Sequence, residues 1–230
     1  MVRRRLNSST VVLGMLMTAA GMLFVERLSG ATRAVSLPSP MLDIRTPAAK
    51  TETAVFAGGC FWGIQAVFQH TKGVTSAVSG YAGGWTDKPD YEMVSSGTTG
   101  HAESVQVTFD PARISYGQLL KIFFSVAHDP TQLNRQGPDV GTQYRSALFY
   151  MSDDQKKTAE AYIDQLNKAH VFSKPIVTQV VAYKAFFPAE AYHQDYAEKH
   201  PNEPYIMIND APKVANLHKQ FPDLYKESIH

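Results

Sequence analysis

The stretch AVFAGGCFWGIQAVF, residues 54–68, contains Cys60, the only cysteine of this 230-residue chain. The apolar run before Gly58 and Gly59 is typical of a short β-strand, and the glycine pair predicts a sharp turn. Apolar residues then recur at helical spacing, at Phe61, Ile64 and Phe68. The sequence therefore predicts a strand, a turn and a helix, with the thiol where the helix begins.

A cysteine at the start of a helix lies next to partial positive charge and unpaired backbone amides, and both stabilise a thiolate. We therefore expect the pKa of the Cys60 thiol to lie below that of a free cysteine. The alternative is a buried and inert cysteine, which is the commoner state of a lone thiol. A single cysteine forms no disulfide within its own chain, so Cys60 does not cross-link the fold and a chemical role is favoured.

The composition is that of an ordinary soluble domain and argues against nucleic acid as a partner. Hydrophobic residues make up 44% of the chain and charged residues 19%, with 22 Lys and Arg against 21 Asp and Glu. Binding to phosphate groups requires a concentrated basic surface, and this balance of charge does not predict one. The length and composition suit one globular domain, which we expect to be a monomer.

The first residues resemble an export signal. Arginines at positions 3–5 precede an apolar run at 11–25, the arrangement of a secretory signal peptide. We interpret 1–28 as a signal peptide or as an N-terminal membrane anchor, in which 6–25 would tether the protein. Either interpretation predicts an exported domain in the periplasm or elsewhere outside the cytoplasm. Residues 29–50 contain three prolines and read as a flexible linker.

The order of the remaining elements predicts an α+β fold. Strand, helix, strand, strand, helix and strand follow one another from residue 51, the order of a two-layer ferredoxin-like (split βαβ) domain. We expect a mixed sheet with the helices on one face, plus extended loops. The catalytic domain is assigned to 51–210 and a C-terminal tail to 211–230.

Five blocks of sequence resemble one known family. GGCFWGIQAVF around Cys60 is followed, in the family's order, by SGYAGG at 79–84 and by further blocks at 91–111, 128–150 and 186–196. Each is similar to the A-type methionine sulfoxide reductases, peptide-methionine (S)-S-oxide reductases. The similarity extends over nearly all of the predicted catalytic domain.

The resemblance implies an enzyme that repairs oxidised proteins. Its implied activity is thiol-dependent reduction of the S epimer of methionine sulfoxide, in proteins and as the free amino acid. Cys60 would attack the sulfoxide sulfur, release methionine and become a sulfenic acid. Glu103 would donate a proton to the sulfoxide oxygen, which requires an apolar pocket that raises the pKa of its carboxyl group.

The resemblance also implies the other residues of the site. Tyr81 and Tyr144 would donate hydrogen bonds to the sulfoxide oxygen. Phe61 and Trp62 would form an apolar wall for the methyl group of the substrate. Three further residues would complete the substrate site, Asp139, Tyr192 and His193.

The chain departs from many members of the family because it lacks a second cysteine. Serine stands at positions 95 and 96, where some relatives carry cysteine, and the C-terminal tail ends in YKESIH. An external thiol must therefore reduce the sulfenic acid, for example thioredoxin, glutaredoxin with glutathione, or an exported equivalent. We expect no bound cofactor and no metal.

Three other interpretations remain open from the sequence. Cys60 with a nearby histidine would form the nucleophile and base of a cysteine hydrolase. A redox-sensing thiol protein, or a methionine-binding module without catalysis, would also use Cys60. A zinc site would use His193, Asp195 and His200, although a single cysteine without a Cys-x-x-Cys pair disfavours it.

Overall fold

The computed structural model describes residues 34–44 and 50–229. The predicted leader at 1–28 lies outside these residues, so neither the signal peptide nor the anchor at 6–25 is addressed by the structure. In the part of the chain that the structure describes, no helix is long and apolar enough to cross a bilayer.

The chain forms a six-stranded sheet, a two-stranded ribbon and a set of helices. The strands are β1 Glu52–Ala57, β2 Val74–Ala82, β3 Ala102–Phe109, β4 Arg135–Gln136, β5 Asp139–Val140, β6 Ala147–Tyr150, β7 Gln179–Ala182 and β8 Phe186–Pro188. The α-helices are α1 Phe61–Gln69, α2 Tyr91–Ser95, α3 Tyr116–Ile122, α4 Asp153–Lys168, α5 Tyr196–Lys199 and α6 Ala211–Gln220. Two π-helical turns span Phe123–Ala127 and Ile206–Asp210, and two 3₁₀ turns span Thr142–Tyr144 and Ala191–His193.

The main sheet has the strand order β7-β6-β1-β3-β2-β8, and β4 pairs with β5. All neighbours in the sheet are antiparallel except β6 and β7, which are parallel. The predicted α+β class with a mixed sheet is confirmed. The central order β6-β1-β3-β2 is compatible with the predicted split βαβ arrangement.

Alternation along β3 assigns side chains to the two faces of the sheet. Val105, Val107 and Phe109 belong to the large core, which includes residues of α1, α3 and α4, whereas Ala102 belongs to a small cluster that contains no helical residue. Successive side chains of a strand point to opposite faces. Glu103 is two residues from Val105, so its side chain lies on the same, helix-covered face of the sheet.

Residues 34–44, which the sequence analysis assigned to a flexible linker, are held against the domain. Leu37 is buried, and the hydroxyl group of Tyr162 donates to the carbonyl of Pro38 at 2.8 Å. The carboxylate of Asp43 accepts from the hydroxyl group of Ser115 and from the backbone N–H of Gly117, at the start of α3. Unpaired amides at a helix start are strong donors, and this carboxylate satisfies one of them.

The C-terminal segment is also part of the folded domain, so the predicted boundary at 210 is too early. Leu217 of α6 is fully buried in the main core. The backbone N–H of Lys72 donates to the carbonyl of Leu224 at 2.6 Å, which fixes the chain beyond α6. The burial of Leu217 therefore extends the folded domain beyond residue 210.

Candidate active site

Cys60 lies where β1 turns into α1. Gly59 has φ +106°, a conformation that side chains other than glycine rarely adopt, and a Cβ atom there would lie 2.6 Å from Gln136. A Cβ atom on Gly58 would lie 2.9 Å from the ring of His128. The glycine pair therefore permits both the turn and the close packing beneath it, and the turn places Cys60 at the N-cap of α1.

The pKa of the Cys60 thiol is raised well above its ordinary value, so the expectation of a lowered pKa is wrong. Burial is the largest cause, followed by the negative charges of Glu103 and Asp210. A hydrogen bond from the backbone of Trp62 and the charge of Lys213 act in the opposite direction. The helix start does favour the thiolate, but loss of water and two nearby acids outweigh it.

Glu103 is the residue that the sequence analysis selected as the proton donor. It is 2% exposed, and its Oε2 accepts from the backbone N–H of Phe61 at 3.1 Å. Burial is the largest cause that raises the pKa of this carboxyl group to about 8; the charges of Asp139 and Asp210 add to it, and the Phe61 hydrogen bond acts in the opposite direction. Glu103 is therefore largely protonated at neutral pH and available as a proton donor.

Tyr144 and Tyr81 are both affected by the charge of Glu103, but the hydroxyl group of Tyr81 is bonded to another carboxylate. Burial raises the pKa of Tyr144, and Glu103 and Cys60 are among the neighbours that raise it further. Tyr81 sits directly opposite Glu103 on β2, yet its hydroxyl group donates to Oε2 of Glu190 at 2.9 Å. The proposed bond from Tyr81 to a substrate oxygen is thus replaced by a bond to a carboxylate.

Tyr91 is a residue that the sequence analysis missed. It begins α2, and its pKa is raised by burial and also by the charges of Glu103 and Cys60. Its backbone N–H donates to Oε1 of Glu190 at 2.8 Å, so the carboxylate that holds Tyr81 also holds the first residue of α2. The feature of the sequence that could have identified Tyr91 is its position as the first residue of the block YEMVSSG, which precedes Glu103.

Aromatic side chains surround the residues that follow Cys60. Phe61 is buried, and its ring centroid lies 5.1 Å from that of His193. Trp62 stacks on Tyr196 at 3.9 Å and meets the ring of Tyr205 at a near right angle. The predicted wall at Phe61 and Trp62 is therefore extended by two tyrosines that the sequence analysis did not select.

His193 fixes the orientation of the Trp62 indole. Its Nδ1 accepts from Nε1 of Trp62 at 3.2 Å, and burial lowers the pKa of the ring against the raising effect of Glu190. The neighbouring Tyr192 is largely exposed, with its ring centroid 4.2 Å from that of His193. His193 thus lies inside the aromatic cluster and Tyr192 at its solvent side.

Asp139 accepts a hydrogen bond from the hydroxyl group of Tyr205 at 2.5 Å. Burial raises the pKa of its carboxyl group, while Tyr205 and Lys213 lower it. The tyrosine that Asp139 orients is therefore Tyr205, which in turn contacts Trp62.

A buried ion pair that the sequence analysis did not predict completes the site. Nζ of Lys213 lies 3.0 Å from Oδ1 of Asp210, and the two residues are 4% and 0% exposed. Both act electrostatically on Cys60.

The histidines do not favour the alternatives of a hydrolase or a zinc site. Nδ1 of His193 is occupied by Trp62, and His128 interacts with Ser146 and with the carbonyl of Phe123. Across residues 34–44 and 50–229, no group of three or more His, Cys, Asp or Glu side chains could hold a metal ion.

Comparisons with known proteins agree on one family. The family model of peptide methionine sulfoxide reductase matches residues 52–225. Peptide methionine sulfoxide reductase MsrA 2 of Mesorhizobium japonicum is 61% identical over 177 residues, which cover 77% of this chain and 91% of that protein. A second MsrA 2, from Synechocystis, is 50% identical over 193 residues, which cover 83% and 90%.

Solved structures of the same family share the fold. Mxr1 from Saccharomyces cerevisiae in its reduced form superimposes with a TM-score of 0.62 and 36% identity, over 71% of this chain and 92% of that one. Methionine sulfoxide reductase A of Corynebacterium diphtheriae gives a TM-score of 0.58 and 33% identity, over 76% and 90%.

The raised pKa of Glu103 predicts an unusual dependence of stability on pH. The folded state retains the proton up to about pH 8, whereas an ordinary carboxyl group loses it near 4.5. Stability is therefore lost as the pH rises from 4.5 to 8, by up to roughly 4 kcal/mol. We expect Glu103→Gln to be more stable than the wild type at pH 8 and close to it at pH 4.5, measured by urea unfolding.

The exposed Glu198 provides the control for this measurement. Glu198→Gln should unfold like the wild type at both pH values. A Glu103→Gln variant that is equally destabilised at pH 4.5 and pH 8 would contradict a protonated Glu103.

Proposed function

Since this chain belongs to the A-type peptide methionine sulfoxide reductase family and is an oxidoreductase that reduces methionine sulfoxide, we propose that Cys60 attacks the sulfoxide and that Glu103 protonates its oxygen. The observation that carries this assignment is the hydrogen bond from the N–H of Phe61 to Glu103. It holds a protonated carboxyl group next to the residue that follows the thiol.

The reaction balances with the thiol and the carboxyl group of the site. Sulfur of Cys60 bonds to the sulfoxide sulfur, Glu103 gives its proton to the oxygen, and the carboxylate takes up the thiol proton. The S–O bond of the substrate and the new bond between the two sulfur atoms then break, and the hydroxyl group passes to the sulfur of Cys60. The products are methionine and a Cys60 sulfenic acid, so the substrate gains two electrons and the thiol loses them.

The raised pKa of Cys60 fits this order of events. A thiol that is protonated in the free enzyme becomes a nucleophile when the acid beside it transfers its own proton to the substrate and becomes a base. Tyr91 and Tyr144 would hold the sulfoxide oxygen, because their hydroxyl groups share the environment of Glu103 and Cys60.

The site would accept one sulfur epimer. Phe61 and Trp62 would offer an apolar wall to the methyl group, and the acid and tyrosines would bind the oxygen. The rest of the substrate would then face solvent, on the side of the exposed Tyr192. Three different substituents in three fixed directions select one configuration, which is the S epimer in this proposal. Both protein-bound and free methionine sulfoxide would be substrates.

An external thiol would regenerate the enzyme. It displaces water from the sulfenic acid to give a mixed disulfide, and a second thiol then releases Cys60 as a thiol. The chain contains one cysteine, so this cycle forms no internal disulfide. A thioredoxin-like protein or glutathione with glutaredoxin fits this requirement, and no bound cofactor takes part.

Purified protein, dithiothreitol and a racemic methionine sulfoxide peptide test the function and its residues. We expect loss of the S epimer alone, no activity in Cys60→Ser, and a reductive step about 10²–10⁴ times slower in Glu103→Gln, the usual contribution of a positioned acid. Single-turnover kinetics give these rates, with Glu198→Gln as the matched control. Consumption of both epimers at equal rates would contradict the selective site.

The different surroundings of Tyr91 and Tyr81 give a second prediction. Tyr91→Phe should slow the reductive step on the order of tenfold or more, because it removes a donor beside the reacting groups. Tyr81→Phe removes a bond to Glu190 and should change the unfolding free energy more than the rate. Both are measured in single turnovers and by urea unfolding, and a larger rate loss in Tyr81→Phe would reverse the assignment.

We also propose that the enzyme works outside the cytoplasm as a monomer, with residues 6–25 as a signal or a tether. The arginines at 3–5 and the apolar run at 11–25 support this proposal. Cell fractionation followed by sequencing of the mature N-terminus tests it. Full-length protein found free in the cytosol would count against it.

A further inference from the structure

The buried ion pair of Asp210 and Lys213 lies against the helix that carries Cys60. A Cβ atom added to Gly63 would lie 2.1 Å from Oδ1 of Asp210 and 2.8 Å from Nζ of Lys213. Gly63 is in the first turn of α1, three residues after Cys60. The second glycine of GCFWG is thus the residue that allows the ion pair to approach this turn.

Stability of the fold does not account for this pair. Two charges removed from water cost more free energy than their attraction commonly returns, and apolar residues of similar volume are often equally stable. Oδ2 of Asp210 is buried and has no hydrogen-bond partner among the described residues. Asp210 and Lys213 therefore satisfy each other incompletely at a place where an apolar contact would pack well.

The ion pair of Asp210 and Lys213 contributes to the charge around Cys60. Glu103 and Asp210 disfavour a thiolate there, and Lys213 is the cation that favours it. The tyrosines whose own ionisation is coupled to the thiol are Tyr91, Tyr144, Tyr196 and Tyr205. Lys213 also acts on Asp139 and His128.

We propose that Lys213 is a positioning residue of the reductase reaction, whose ammonium group compensates the negative charge that develops on Cys60, and that Asp210 holds this ammonium group against the first turn of α1. Lys213 transfers no proton in this scheme. The proposal rests on the proposed role of Cys60 as the attacking thiol.

The pair differs from a purely structural ion pair in one measurable respect. Loss of either partner of a structural pair leaves a buried charge and destabilises the fold in the same direction. In the proposed role the two residues act on Cys60 with opposite sign: Lys213 favours its thiolate and Asp210 disfavours it. The ionisation of Cys60 therefore separates the two roles.

The rate of alkylation by iodoacetamide, measured against pH, reports the ionisation of the Cys60 thiol. No other thiol contributes, because the chain has one cysteine. We expect Lys213→Met to move the midpoint of the rate against pH upward and to slow alkylation at pH 8 on the order of tenfold. Asp210→Asn keeps a side-chain oxygen that accepts from Nζ of Lys213 and removes only the negative charge, so it should move the midpoint downward. The exposed Lys219 on the same helix gives the control, and Lys219→Met should leave the midpoint unchanged.

Circular dichroism and urea unfolding establish that each variant is folded before its rates are compared. Lys213→Gln, which keeps a donor to Asp210, replaces Lys213→Met if the latter does not fold. A midpoint that moves in the same direction in both single variants, or that does not move when Lys213 is neutralised, overturns the proposal. Wild-type protein that forms no methionine would refute the proposed function, and the alkylation result would stand independently of it.

Discussion

The hydrogen bond from the N–H of Phe61 to the carboxyl group of Glu103 joins the two parts on which the site is built. The amide is one of the unpaired donors at the start of α1, and the carboxyl group belongs to β3 in the middle of the sheet. Each would be costly to bury alone. Because they satisfy each other, the turn at Gly58 and Gly59 can bring Cys60 into the core beside an acid.

This arrangement sets a condition on reactivity. The same burial that keeps Glu103 protonated also keeps the Cys60 thiol protonated, so neither group alone favours reaction in the free enzyme. A substrate whose oxygen accepts the proton of Glu103 converts that acid into the base that the thiol lacks. In the proposed mechanism, this coupling allows a buried thiol with a raised pKa to act as the nucleophile.

Local sequence patterns were sufficient to predict the secondary structure around Cys60, but they did not predict which side chains approach the thiol in the folded protein. The strand, turn and helix around Cys60 follow from glycines and helical spacing, and the parity of β3 places Glu103 on the buried face. The pKa of Cys60 was misjudged first because the tertiary structure buries the thiol, and then because the acids Glu103 and Asp210 approach it from distant segments of the chain. The sequence analysis selected Tyr81 without considering Tyr91, since local patterns do not show that Glu190, distant in sequence, accepts from the hydroxyl group of Tyr81.

The chemistry and the recognition surface come from different parts of the chain. Cys60 and Glu103 lie on the segment from β1 to β3, whereas the residues that orient Trp62 follow the last strand: His193, Tyr196 and Tyr205. The chain between β8 and α6 includes only short helical turns, so its position depends on contacts with α1, among them the hydrogen bond from the backbone N–H of Asp195 to Oε1 of Gln65. The sheet thus fixes the positions of Glu103 and Cys60. The aromatic wall around Trp62, which is proposed to receive the substrate, is fixed by packing against α1, the helix that begins at the thiol.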